Sequence, residues 1–276
     1  IKAKRYDTEG RGCSAENIYI WTIDSKVHDI TGPVKGSYCT IQQAIDAAST
    51  QAGDVLEVEP GTYPENLQIN KANLTLKSVT LHAAIIQTQS GFNAGSGYGG
   101  ITFLANGCTL DGFKIEQDVA QAIIHTHNSN DITLKNNWII GMASSAPRGI
   151  DVGYASANSD GVVIQGNIFE DLYCGVYINQ ASDLTIDDND FIADMGDGCI
   201  VFDGTWNYND VNVTNNSATD ANYLLFFYGD PQGAVPHSGN TLSNTLLSNW
   251  KVVNITKNIF YPTIQLAVTG ADATNV

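Results

Sequence analysis

The sequence predicts an all-β solenoid, and three observations carry that prediction. The first is a rung that recurs. Asp183-Leu184-Thr185-Ile186-Asp187-Asp188-Asn189 has the pattern of Asp131-Ile132-Thr133-Leu134-Lys135-Asn136-Asn137, with two apolar residues two apart and an Asn three residues after the second. Gly161 to Asn167, Asp210 to Asn216 and Val253 to Asn258 repeat it, while Asn73-Leu74-Thr75-Leu76 and Gly107-Cys108-Thr109-Leu110 keep the apolar pair without the Asn. The second observation is spacing. The second apolar residue falls at 76, 110, 134, 164, 186, 213 and 255, intervals of 34, 24, 30, 22, 27 and 42 residues, as expected of stacked coils. The third is composition, because 26 Gly, two Met and abundant Asn and Thr suit turns and short strands rather than helices.

Alternation at period two puts Leu184 and Ile186 on one face of a short strand and Thr185 on the other. One such strand cannot bury its apolar face alone, but coils stacked ~4.8 Å apart make a continuous core. Asn tolerates the left-handed backbone of a sharp corner. Asn137, Asn167, Asn189, Asn216 and Asn258 are therefore expected to turn five equivalent corners and to hydrogen-bond up and down as a ladder. A β-sandwich offers no reason to repeat one corner residue in this way.

Residues 1–39 carry mixed charge and no period, and are read as an elaboration over the end of the stack, with Ile18 to Ile23 an edge strand. Thr40 to Ser49 predicts a capping helix: Thr40 is the N-cap, Gln43 stands three residues on, and Ile41, Ala44, Ile45 and Ala48 make one apolar face. Asp54 to Val58 and Asn66 to Ile69 are strands separated by the Pro60-Gly61 turn. Gly91 to Gly100 lacks the Lys-Ser/Thr ending and the following helix of a phosphate loop, and is read as a surface loop. The solenoid is expected over 40–268, closing with a strand at Thr263 to Val268, and 269–276 as a linker or ragged end.

Two stretches, Thr40-Ile41-Gln42-Gln43-Ala44-Ile45-Asp46-Ala47-Ala48 and Gly53 to Leu67, resemble the opening coil of pectin-lyase-like proteins. That resemblance implies a right-handed single-stranded parallel β-helix with an N-terminal capping helix. It covers about 40 residues and identifies fold far better than activity, because one opening coil serves many chemistries. Gln117-Asp118 and Asp190-Phe191-Ile192 only faintly echo the paired Asp and Gln of pectin methylesterases. Polygalacturonase signatures and the Arg-rich strand of pectate lyases are absent.

Whole-chain properties bound the function. At 276 residues a single large core is feasible, and a net charge of −16 argues against nucleic acid and anionic membranes. It leaves room for an acidic polysaccharide bridged by divalent cations. No apolar run reaches the ~20 residues of a membrane span. The start at Ile1 without Met fits a leader already removed, and the expected location is secreted or cell surface. Of five Cys, Cys108 and Cys199 fall at inward positions, Cys13 and Cys39 are a candidate disulfide, and none has zinc-ligand spacing.

In the enzymes that the chain resembles, substrate lies on the outer face of the strand preceding the Asn turn. Carried over, that face is the column His125, Asp151, Tyr177 and Ile200, with His127, Gly153, Asn179 and Phe202 as a parallel column. Arg148 and Asp197 stand just before their strands. Arg148 is the only Lys or Arg between Lys135 and Lys251, which makes it the candidate uronate anchor or base on the central coils. Arg148, Asp151 and His125 are the candidate catalytic groups; His127, Tyr177, Asn179, Asp197, Trp206 and Tyr208 are the candidate sugar contacts, with Tyr228 a further loop aromatic. Asp194, Asp197 and Asp203 are a candidate Ca²⁺ set implied by the resembled lyases, competing with a scatter of solvated turn aspartates. The function read from these residues is binding, and if the chain is an enzyme β-elimination, of an acidic polysaccharide. A non-catalytic adhesive or structural β-helix is the competing class.

Overall fold

A computed structural model of the chain describes residues 25–31, 36–89, 100–117, 122–142, 147–153, 158–192, 195–204, 208, 210–229 and 235–249, and the backbone alone of 252–254 and 259–261. The expected edge strand at Ile18 to Ile23, the Cys13–Cys39 pairing and the closing strand at Thr263 to Val268 lie wholly or partly outside those residues. The chain winds as a parallel β-helix in which each coil gives one strand to each of three sheets. The first sheet holds Val55–Val58, Thr75–Ser78, Thr109–Asp111, Thr133–Lys135, Val163–Gln165, Leu184–Asp187, Val211–Thr214 and His237–Ser238. The second runs from Gly61–Tyr63 through Trp138–Gly141, Ile168–Glu170 and Asp190–Ile192 to Thr241–Ser243. The third includes Leu67–Ile69, Ile101–Phe103, Ile124–His125, Arg148–Val152, Cys174–Ile178, Gly198–Phe202, Tyr223–Phe227 and Leu246–Ser248.

The period-two rungs form the first sheet. Leu56, Leu76, Leu110, Leu134, Ile164, Ile186 and Val213 stand in one column, paired strand to strand and fully buried. Cys108 and Cys199 are buried in the same core. At the N-terminal end the helix is shorter than expected, Ile41–Asp46, because Ala47 leaves helical backbone at ψ 136°. Thr40 caps it by accepting from the Gln43 N–H, and Glu65 accepts from the Ile41 and Gln42 N–H groups at 2.9 and 3.0 Å. Ile41, Ala44 and Ile45 close the core beneath it. Beside it, Val27–Asp29 pairs antiparallel with Val55–Val58 and covers that sheet edge.

The Asn ladder forms, with two corrections. Each buried Asn donates through Nδ2 to the Oδ1 of the next: Asn137 to Asn167 at 3.1 Å, Asn167 to Asn189 at 3.0 Å and Asn189 to Asn216 at 2.9 Å. The left-handed residue, however, is the one before the ladder Asn. Asn136, Asp188 and Asn215 have φ of 55°, 55° and 54°, and Gly112, Gly166 and Gly239 take the same place in their coils. The ladder Asn is buried with its amide facing the neighbouring coils, while the residue before it is exposed or half-buried and turns the corner. The second correction concerns the last rung. Asn258 is outside the described residues, and Asn240, 24 residues after Asn216, receives the Asn216 Nδ2 at 3.1 Å.

Thus the apparent 42-residue interval contains a coil that the apolar pattern passes over. Its core position is His237, paired with Val213 and 5% exposed. A buried imidazole at an otherwise aliphatic position hides the rung from a search for apolar pairs.

Asn189 satisfies three coils at once, because Nδ2 also donates to the carbonyls of Ile164 and Asp187 at 2.9 and 3.0 Å and Oδ1 accepts the Asn167 N–H at 2.9 Å. Asn189→Ala strands buried donors and acceptors, and should cost about 3 kcal/mol of unfolding free energy in a denaturant titration. Asn240→Ala, at the half-buried end of the ladder, should cost less than half as much. Equal losses at the two positions would mean that the ladder is not what the corners depend on.

Candidate functional site

The third sheet turns one column of side chains outward. In register these are Gln68, Thr102, His125, Asp151, Tyr177, Val201 and Phe226. The strand Arg148–Val152 places Asp151 outward because Ile150 and Val152, on either side of it, are drawn into the core. Cys174–Ile178 does the same for Tyr177 between Val176 and Ile178.

Beyond Tyr177 the sequence register slips by one residue. Ile200 and Phe202 point into the core, and Val201 and Asp203 take the places expected for them. The reason is local. Cys199, Ile200, Val201 and Phe202 are apolar without a break, so no alternation marks the inner face. The adjacent column therefore reads Gly153, Asn179, Asp203 and Tyr228, tied by Asn179 N–H to Val152 O, Asp203 N–H to Ile178 O and Tyr228 N–H to Phe202 O.

Three predicted residues come together. The Arg148 guanidinium lies 3.5 Å from Asp151 Oδ2 and, on its other side, 3.5 Å above the centre of the Tyr177 ring. Asp151 is 6% exposed, and its Oδ1 is enclosed without a hydrogen-bond partner among the described residues. Burial pushes the Asp151 carboxyl up to about 6, with Arg148 opposing the rise. Burial is the largest influence on the Arg148 charge and works against it, but Asp151 together with Tyr177 and Cys174 offsets it and the guanidinium is held cationic. Burial is also the main reason that the Tyr177 phenol stays protonated well above its ordinary range.

A second cluster adjoins the first. The hydroxyls of Tyr173 and Tyr228 both donate to Asp197 Oδ2, and their oxygens stand 2.9 Å apart. Tyr228 is 49% exposed; its ring centre lies 6.5 Å from that of Tyr177 and 5.1 Å from that of Phe226, which it meets edge-on at 76°. Cys174, Tyr177 and Val201 pack together beneath Tyr173 and Phe226 as a small apolar cluster separate from the main core. The two clusters make one row across four coils, about 14 Å long at the strand spacing. It displays aromatic faces and edges, carboxylates, phenols and one cation side by side.

Other predicted residues are placed differently. His125 is outward in register yet 0% exposed, so it does not line the open row. Its ring lies 5.6 Å from that of His127, which is half-buried. Burial holds His125 neutral down to about 4. Tyr208 is not a loop platform: it is fully buried, packs edge-on against Phe202 at 4.9 Å and donates to Asp203 O at 2.8 Å. Asn179 is half-buried and donates to Gly153 O at 3.3 Å. Trp206 and Asp194 lie outside the described residues. Of the Ca²⁺ set, Asp197 is taken up by two phenols and Asp203 stands beside Asn179, and among the described residues no three His, Cys, Asp or Glu side chains gather to hold a metal.

Tyr173 and Phe226 escaped the sequence reading. Aligning Tyr173-Cys174-Gly175 with Asp197-Gly198-Cys199 would have found the first, since Cys174 and Gly198 are register partners and Tyr173 therefore adjoins Asp197. Phe226 carries no such sign, because Tyr223 to Phe227 is apolar throughout.

Comparison with known proteins follows the same lines. The family described as the right handed beta helix region matches residues 67–250. A cell surface glycoprotein of Methanothermus fervidus is 38% identical over 103 residues, which make up 37% of this chain and 16% of that protein, so the match spans under a fifth of the relative's length. The catalytic unit of a thermostable GH87 alpha-1,3-glucanase from Streptomyces thermodiastaticus superposes at a TM-score of 0.57, with 19% identity, over 85% of this chain and 43% of that one. An alginate lyase from Paenibacillus sp. gives a TM-score of 0.47, with 17% identity, over 75% of this chain and 94% of that one. At these identities the structural likeness is one of fold.

The buried titratable groups give opposite pH signatures. His125 and His237 fall from the ordinary 6.5 to about 4 on burial, so the unfolded chain binds more protons between those values and stability is lost as pH falls through that window. Asp151 rises from 3.8 to about 6, so the folded chain binds more protons there and its contribution is lost as pH rises. Asp151→Asn should therefore steepen the decline of stability on acidification from pH 6.5 to 4, and His237→Leu should flatten it. Thermal melts across that range check both, and slopes that move together would overturn the assignment.

Proposed function

The chain belongs to the right-handed β-helix family, and from that premise we propose that it is a secreted or cell-surface domain that holds a polysaccharide along the outer face of its third sheet. The observation that carries this reading is the continuous row in which Arg148, Asp151 and Tyr177 adjoin Tyr173, Asp197, Phe226 and Tyr228. Tyr173 and Phe226, half-buried, and Tyr228, exposed, offer ring surface beside Asp197 that suits a chain of sugar rings, while Tyr177 and Asp151 lie beneath as the largely covered floor of the row. The relative named as a cell surface glycoprotein supports the location. The glucanase of like fold makes a glycan a fitting occupant.

An acidic polymer is the finer reading, and Arg148 is the residue that favours it. A uronate carboxylate would take the guanidinium in place of Asp151, most readily where Asp151 takes up a proton, near pH 6. Cleavage by β-elimination needs in addition a base for the proton beside that carboxylate. Arg148 is held cationic, His125 is enclosed, and Asp151 is 6% exposed and paired with Arg148 at 3.5 Å, so none of the three candidates is placed to take that proton in this arrangement. Binding without cleavage is the reading that the geometry supports best. A calcium bridge through Asp197 and Asp203 would have to displace two phenol donors from Asp197.

Retention on immobilised pectate, alginate and neutral glucan, at pH 5.5 and 7.5 and with Ca²⁺ or chelator, tests these points. Polyuronate retention stronger at pH 5.5, and weakened about tenfold (~1.4 kcal/mol) by Arg148→Ala or Tyr228→Ala, is expected. No rise in absorbance from unsaturated uronate is expected in the same samples. Retention that ignores both substitutions means another face binds, a growing absorbance means the chain is a lyase, and no retention on any polymer removes the polysaccharide reading.

A further inference from the structure

Three Asn-X-Ser/Thr tripeptides lie among the described residues: Asn73-Leu74-Thr75, Asn212-Val213-Thr214 and Asn215-Asn216-Ser217. Such a tripeptide accepts an N-linked glycan only where its Asn amide reaches solvent. In all three the middle residue is buried and the acceptor is exposed, because the chain alternates sides at period two. The amides differ in what they already do. Asn215 is a left-handed corner residue, φ 54°, and its Nδ2 donates to Asp187 Oδ1 at 2.9 Å. Asn73 is another, φ 59°, and its Oδ1 lies only 2.0 Å from where a Cβ on Gly107 would stand, so its amide is packed against the next coil. Asn212 lies within the strand Val211–Thr214, is exposed, and its side chain makes no hydrogen bond to a described residue. It projects from the outer face of the first sheet next to Thr185, not from the third-sheet row.

We propose that Asn212 is an N-glycosylation site. The inference rests on the extracellular location proposed above. The donor is a lipid-pyrophosphate-linked oligosaccharide. Asn212 Nδ2 forms a bond to the anomeric carbon, the bond from that carbon to the phosphate oxygen breaks, the lipid pyrophosphate leaves with the electron pair, and the amide gives up one proton. In the folded coil the Thr214 hydroxyl donates to Asp187 Oδ1 at 2.7 Å, so the tripeptide is open to a transferase before this coil closes on the preceding one. The finished glycan would cover part of a flat polar sheet and leave the row from Arg148 to Tyr228 clear.

Mass spectrometry of the peptides that contain Asn73 and Val211 to Thr219, on protein isolated from its own cells, tests the site, with surface biotinylation of the same cells run in parallel. The expected result is a glycan mass on Asn212 of biotinylated protein, absent in Asn212→Gln and retained in Thr214→Ser. Asn212→Gln changes an exposed side chain that makes no hydrogen bond to a described residue, so the coil keeps its core and its ladder. Biotinylated protein with a bare Asn212, or with its glycan on Asn73 or Asn215 instead, overturns this inference and leaves the location standing. Protein that is never biotinylated and bears no glycan overturns both.

Discussion

A corner carboxamide shared among coils is the interaction on which the rest of the structure depends. A buried turn leaves backbone N–H and C=O groups that must find partners. An amide side chain has two donors and a twice-accepting oxygen, enough to serve its own coil and both neighbours. Asn189 does so through Ile164 O, Asp187 O, Asn216 Oδ1 and the Asn167 N–H. The corner then has one length. From the last residue of a first-sheet strand to the first residue of the next strand is three positions at Lys135 to Trp138, Gln165 to Ile168, Asp187 to Asp190 and Thr214 to Ser217. Yet ladder partners stand 30, 22, 27 and 24 residues apart. All of that variation enters on either side of the third sheet. The ladder holds two sheets constant and leaves the third flanked by loops that can differ from coil to coil, which is why specific chemistry collects on its outer face.

That face contains a feature that stability alone does not account for. Asp151 is nearly enclosed, meets its cation at 3.5 Å through one oxygen, and leaves the other oxygen unpartnered among the described residues. Such an arrangement offsets little of its desolvation cost. Two and three coils on, the same column carries Val201 and Phe226, which fill the position with no electrostatic cost at all. The fold therefore accepts an apolar residue there, and the Arg148–Asp151 pair is not something that packing at this position requires.

The fold was largely legible in the sequence because the core obeys one repeated rule. Leu134, Ile164, Ile186 and Val213 could be aligned by counting, and their pairing follows that count. Legibility failed where the rule was locally suspended. His237 occupies an aliphatic place and conceals a coil, and the unbroken apolar run from Cys199 to Phe202 allows two registers, of which counting chose the wrong one. The corner itself was misassigned by one residue because Asn136-Asn137 and Asn215-Asn216 present two plausible turners, and only burial separates the one that turns from the one that bonds. That Arg148, Asp151 and Tyr177 share a face was legible from the coil count, the choice of that face from the resembled enzymes and Arg148 from its being the only Lys or Arg between Lys135 and Lys251, while enclosure of His125 and Tyr208 depends on neighbouring coils and leaves no mark on the local sequence.

The first sheet supplies the contrast that distinguishes the two polar faces. Apart from Asn212, its outward groups around Asp111 and Asp187 answer one another: Lys135 pairs with Asp111 at 3.5 Å, Asn136 donates to Asp111 at 2.8 Å, Gln165 donates to Asp187 at 3.0 Å, and Thr214 and Asn215 donate to the same Asp187 at 2.7 and 2.9 Å. Those bonds draw the Asp187 carboxyl below its usual range, Thr214 most strongly, as expected of a charge that is well served where it stands. On the third sheet the sign is reversed, since burial raises Asp151 and its second oxygen is left over. A ligand hydroxyl brought to the first sheet would have to break bonds already made. On the third sheet the Asp151 oxygen left over is enclosed, so a ligand would have to draw Arg148 or Asp151 out of its place before completing that set, and the two polar faces differ in how far their own groups satisfy one another.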